Sequence, residues 1–136
     1  MNLDKVCNRL CKHLSEAGFI IHRYKSFSTN SIYLKLDYGA CNSIRISDHQ
    51  GYEHLSYKYY VLDNCEKTGW KKSKEGFWQY YCSTTKSDIS KLIDIIISDR
   101  IYKKTLYNYD KRIEDYKSKI NYNLSFWREC EEVLYD

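Results

Sequence analysis

The hydrophobic spacing of this chain changes period twice, from a helical repeat to strict alternation and back, and that double change constrains the fold more than any single motif. Leu3, Val6, Cys7, Leu10, Leu14 and Ala17 recur at three- and four-residue intervals, and Gly18 stands where a helix would end. The spacing predicts an amphipathic helix packed by one face on a sheet. From Phe19 to Lys25 the residues turn β-branched and aromatic, and a first strand is expected there. Ile32, Leu34 and Leu36 alternate with Tyr33 and Lys35, Asp37-Tyr38-Gly39 makes a turn, and Ser43-Ile44-Arg45-Ile46-Ser47 alternates again. Leu55, Tyr57, Tyr59 and Val61 give a fourth strand. Residues 63–76 read as a long loop leading to a fifth strand, Phe77 to Cys82.

Beyond Phe77 there is neither glycine nor proline. Thr85 with Asp88 resembles a capping box, and Ile89, Leu92, Ile93, Ile96 and Ile97 follow at helical spacing, so a helix starts near residue 86. Leu106, Tyr109, Ile113, Tyr116, Ile120, Asn123, Trp127, Cys130 and Leu134 then alternate three- and four-residue steps. Two outcomes fit. One helix runs to about residue 135, roughly 70 Å long at 1.5 Å per residue, and dimerises as a coiled coil. Alternatively it breaks near Asn108 and folds back as a helical hairpin. Either way Ile113, Tyr116, Ile120 and Trp127 are the expected self-association seam. The fold class is therefore α+β: an N-terminal helix, an antiparallel sheet of about five strands, and a long C-terminal helix or helical hairpin. Residues 1–85 form the helix and sheet, and 86–136 a helical region of the same domain or a dimerisation element.

A length of 136 residues with 43% hydrophobic content suits one domain. No apolar run approaches a membrane span and no signal peptide is evident, so a cytoplasmic protein with its six cysteines reduced is expected. The absence of proline and the abundance of Lys, Ile, Asn and Tyr match the bias of AT-rich codons, which points to a low-GC bacterium or its phages. Fifteen tyrosines offer amphipathic contact surface of the kind enriched at interfaces. For most of them a half-buried strand position is the better account. Residues 1–85 hold twelve Lys and Arg against eight Asp and Glu, whereas 86–136 hold ten of each, so the excess positive charge lies in the sheet half.

Three groups are candidates for function. Lys67, Trp70, Lys71, Lys72, Lys74 and Trp78 combine cations that neutralise phosphate with rings that stack on unpaired bases. A solvated loop beside core tryptophans explains the same pattern. Arg45, Asp48 and His49 offer an anion-holding guanidinium and a carboxylate beside an imidazole. Yet neighbouring strand residues face opposite ways, and Asp48-His49-Gln50-Gly51 is good turn chemistry without catalysis. Cys7 and Cys11 sit one helical turn apart, but no further ligand pair completes a metal set, and nothing in the pattern asks for a cofactor.

The stretch Ile32-Tyr33-Leu34-Lys35-Leu36, followed by Ser43-Ile44-Arg45-Ile46-Ser47-Asp48-His49, resembles a strand-turn-strand signature in small proteins of bacteriophages and other mobile elements. The resemblance covers residues 32–49 and implies a phage-associated protein. In that setting the expected function is non-catalytic inhibition of a host defence effector, an anti-CRISPR-like protein acting on a host protein or nucleoprotein by direct contact. Nucleic-acid binding through residues 67–78 is the first alternative, and a small enzyme centred on Arg45, Asp48 and His49 the second.

Overall fold

The computed structural model describes residues 2–26, 30–48, 54–60, 70–72, 77–120 and 125–134. Helix α1, Leu3–Glu16, opens on Asn2, whose side-chain oxygen accepts the Asp4 backbone N–H at 2.7 Å. It closes as a Schellman motif: Gly18 takes a φ of +87°, its N–H reaches the Ser15 carbonyl at 3.0 Å, and the Phe19 N–H reaches Leu14 at 3.1 Å. Val6, Cys7, Leu10, Cys11 and Leu14 are its buried stripe.

The strands are β1 (Ile21–Ser26), β2 (Ser31–Leu36), β3 (Ser43–Ser47), β4 (His54–Tyr60), β5 (Trp70–Lys72) and β6 (Phe77–Cys82). A two-residue β7, Glu131–Glu132, is added late in the chain. The sheet order is β5-β6-β4-β3-β2-β1-β7, and the pairings are antiparallel. The expectation of about five strands is thus corrected to six, with β7 as an edge addition. Strand β5 lies in the stretch read as loop. Three residues, two of them lysine, are too few to show an alternation, and the segment becomes a strand by pairing with the outer edge of β6, Lys71 opposite Gln79.

Helix α2, Lys86–Leu106, begins on the expected cap: the Thr85 hydroxyl accepts the Asp88 N–H at 3.2 Å. Asp88 accepts the Ser83 hydroxyl at 2.5 Å and the Ser83 N–H at 3.3 Å. The single long helix does not form. Tyr107 is extended, and Asn108 caps a new helix, α3 (Tyr109–Ser118), accepting the Lys111 N–H at 3.2 Å. A short α4, Ser125–Glu129, follows.

The three-four spacing has a different cause from a coiled coil. Tyr109, Ile113 and Tyr116 share one face of α3, which docks on the 3₁₀ turn Asp37–Gly39 between β2 and β3. At the ends of the stripe Leu106 is 46% and Leu134 77% exposed, so it is not one continuous seam. The turn itself is left-handed, with φ of 52° at Asp37, 60° at Tyr38 and 101° at Gly39.

Helices α1 and α2 cover one face of the sheet. Leu10 and Leu14, Leu34 and Leu36, Ile44 and Ile46, Leu55, and Leu92 and Ile96 meet there in one core. None of the described helices is long and apolar enough to cross a membrane.

Candidate binding face

Strand alternation sends every second side chain away from that core, and the register aligns these residues in rows across the sheet. One row runs Tyr24, Tyr33, Arg45, Ser56 and Tyr81, from β1 to β6. The row on one side of it carries His22, Lys35 and Ser43, and continues through Lys58 and Gln79. The row on the other side holds Ser26, Ser31, Ser47 and His54. Within β1 to β6 no described residue at these second-face positions is Asp or Glu. Among the described residues Glu132 stands on β7 opposite His22, and Asp48 lies just past β3.

Cations and rings are interleaved on this face. The Arg45 guanidinium lies 5.7 Å from the Tyr33 ring, its Nη2 donates to the Ser31 hydroxyl at 3.3 Å, and its buried Nε has no partner among the described residues. Lys35 is half-buried. Burial first, and the like charge of Lys58 second, hold its ammonium below the usual lysine range. Lys58 is exposed, and Tyr81 is 39% exposed with its hydroxyl donating to Gln79 at 2.5 Å.

The C-terminal segment forms one rim. Phe126 of α4 packs 5.9 Å from the Tyr24 ring and 4.9 Å from the Lys35 ammonium, while Trp127 lies 5.1 Å from His22 and 6.3 Å from Tyr38. Burial keeps the His22 imidazole below its ordinary pKa, against the opposing pull of Glu132. Glu131 then accepts from Arg23 at 2.6 Å and 3.1 Å, and the Val133 N–H reaches Ile21 at 2.9 Å, fixing β7 on the β1 edge.

A second polar cluster sits inside the core. Asp99 of α2 accepts the Tyr57 hydroxyl at 2.8 Å and the Lys103 ammonium at 3.0 Å, with the Cys41 thiol at 3.6 Å. Beside it Asp37 accepts the Tyr109 hydroxyl at 2.6 Å and the Ile20 N–H at 2.9 Å, and Arg100 lies 4.0 Å away. Arg100 also donates to the Ala17 carbonyl and stacks 3.7 Å from the centre of the Phe19 ring. The cluster has the residue types of a catalytic group but the electrostatics of a latch. Burial, then the Asp99 charge, pushes the Cys41 thiol up to about 12, so it stays protonated and is a poor nucleophile. Its chemistry ties α2 and α3 to the sheet.

The predicted residues are distributed as follows. Arg45 lies on the second face. Asp48 accepts from the Asn30 amide at 2.8 Å, which links the end of β3 to the start of β2, and His49 lies outside the described residues. Ser47 and His54, directly opposite on β3 and β4, are 3.1 Å apart, but Ser47 is completely buried. Lys67 and Lys74 also fall outside the described residues, and Trp70, Lys71 and Lys72 form β5. Trp78 is buried and lies on the same side of β6 as Tyr80. Ile113 is packed against the core, Ile120 is half-buried just past α3, and Tyr116 lies against Gly39. Trp127 belongs to the rim, on a different helix from these three. Cys7 and Cys11 are buried with their sulfurs 3.9 Å apart, and all five described cysteines are free thiols. Among the described residues no group of three or more His, Cys, Asp or Glu converges as metal ligands.

Lys35, Lys58, Tyr33 and Tyr81 were not singled out in the sequence. The signal was the off-phase set of each strand, the positions that alternate with the apolar ones. Comparison of the chain with protein families, with curated proteins and with solved structures finds no match in any of the three.

Proposed function

We propose that this chain is a non-catalytic binding protein that works by laying the second face of its sheet on a protein or nucleoprotein partner. The observation that carries this reading is the composition of that face: Tyr33, Lys35, Arg45, Lys58 and Tyr81 alternate rings with cations, without an intervening carboxylate. The apolar core is built on the opposite face. The polar cluster that has catalytic residue types is sealed in the core with its thiol protonated, which favours binding over turnover. Inhibition of a host defence effector is the form of binding that the mobile-element resemblance of residues 32–49 supports.

The test is capture by the tagged full chain from a lysate of a low-GC bacterium, with wild type compared against a Lys58→Glu, Tyr81→Ala variant. A discrete partner held by wild type and lost by the folded variant is the expected result. Equal capture by both would remove the second face from the function. A substrate whose turnover collapses on His49→Ala would instead establish the enzyme reading.

A further inference from the structure

Resting on the binding-face reading, we propose that the ligand of the second face is a single-stranded nucleic acid, with its phosphates on Lys35 and Lys58 and its bases on Tyr33 and Tyr81. Lys35 and Lys58 stand in one cross-strand row with the small Ser43 between them, two strands apart, about 10 Å at ordinary strand spacing. Tyr33 and Tyr81 stand in the next row, about 14 Å apart on the same basis, with Arg45 and Ser56 between. Ser43 and Ser56 are the small residues between these side chains, and Phe126 of α4 packs on Tyr24 and Lys35 at the β1 side.

Three features favour this ligand over a protein. Cores of protein interfaces are depleted of lysine, whereas nucleic-acid interfaces are strongly positive. Two like charges share the row, and bound phosphate relieves their repulsion. The Tyr81 ring is 39% exposed and the Tyr33 side chain half-buried, and unpaired bases stack on such rings without regard to sequence. A duplex fits less well, because reading its grooves needs a protruding helix or ribbon, and this face presents neither among the described residues.

The measurement is fluorescence anisotropy of labelled oligodeoxythymidine and oligouridine of about twelve nucleotides with the full chain. Heparin, a polyanion without bases, serves as competitor. Binding is expected to weaken with salt at a slope of about −0.7 per phosphate neutralised, and Lys58→Glu should shallow that slope by about one such contact. Tyr81→Ala should cost about tenfold in affinity with the slope unchanged. Both side chains are exposed, so the variants should keep the wild-type circular dichroism. Failure of folded wild type to bind either oligonucleotide at about 50 mM salt would overturn the proposal. So would binding that heparin abolishes and Tyr81→Ala leaves intact, which is charge attraction alone. If the oligonucleotides fail while a captured protein is lost in the same variants, the nucleic-acid inference falls and the binding face stands. If capture is also unaffected by the variants, both fall.

Discussion

The two faces of this sheet are built from the same strands, one residue out of phase, and they obey different rules. On the helix-covered face Leu34, Ile44, Leu55 and Tyr57 are fully buried, and the Tyr57 hydroxyl is tied to Asp99. On the second face the neighbours Tyr33, Lys35, Arg45 and Lys58 are half-buried or exposed, and Lys35 retains a like-charged neighbour. A residue whose burial drives folding has little freedom to serve anything else. The second face is where this chain has that freedom.

The sharpest way to break the contrast is a pair of adjacent substitutions on β2. Leu34→Ala should cost about 2–5 kcal/mol in urea denaturation, through lost burial and the cavity left behind. Tyr33→Ala should cost about 0.5 kcal/mol or a little more, since its ring is only half-buried, while weakening ligand binding. Comparable losses from the two would show that the second face also carries the fold.

A smaller effect tests the latch. Tyr109→Phe leaves the buried Asp37 without its 2.6 Å hydroxyl donor and should cost about 1–3 kcal/mol. Faster amide exchange should appear first in α3, and unchanged protection there would mean that α3 is held by apolar packing alone.

The mildest prediction concerns pH at the rim. The folded state holds the His22 pKa below its ordinary value of 6.5, so the unfolded chain binds more protons as the pH drops. The stability this imidazole contributes is complete above about pH 6.5 and declines as the pH falls toward its lower folded value. Denaturation midpoints measured from pH 8 to 5 should show that decline in wild type and lose it in His22→Gln. An identical decline in the variant would place the titrating group elsewhere.

Much of this architecture was legible because burial on one side of a strand leaves a period in the sequence. The strands Ser43–Ser47 and Phe77–Cys82 and the helix start at Lys86 fall where alternation and Thr85 place them. The helix break was harder to read, because the stripe through Tyr109, Ile113 and Tyr116 has the same spacing whether it meets another helix or a turn. Only Asn108, with its capping side chain, distinguished the two. The candidate site was least legible. Cation density along the chain drew attention to Lys67–Lys74, whereas density in space depends on register, and register brings Lys35 and Lys58 into one row from separate strands. Asp99 and Lys103 continued the buried stripe of Ile89, Leu92 and Ile96, and two charges on an apolar stripe four residues apart were the available sign of the latch.

The pairing of β7 with β1 joins residues 108 positions apart, from Arg23 to Glu131. Closing a loop that long carries an entropic cost repaid only when the final contacts form, so we expect this edge to zip up last. During synthesis the hydrogen-bonding groups of the β1 edge would then stand open until Glu131 and Glu132 have left the ribosome. An open strand edge is a template for pairing with another chain, and charges on it are the usual protection. Arg23 and Lys25 supply two such charges on β1. In the folded protein Arg23 closes the strap through Glu131; in the nascent chain the same charge helps to keep neighbours apart.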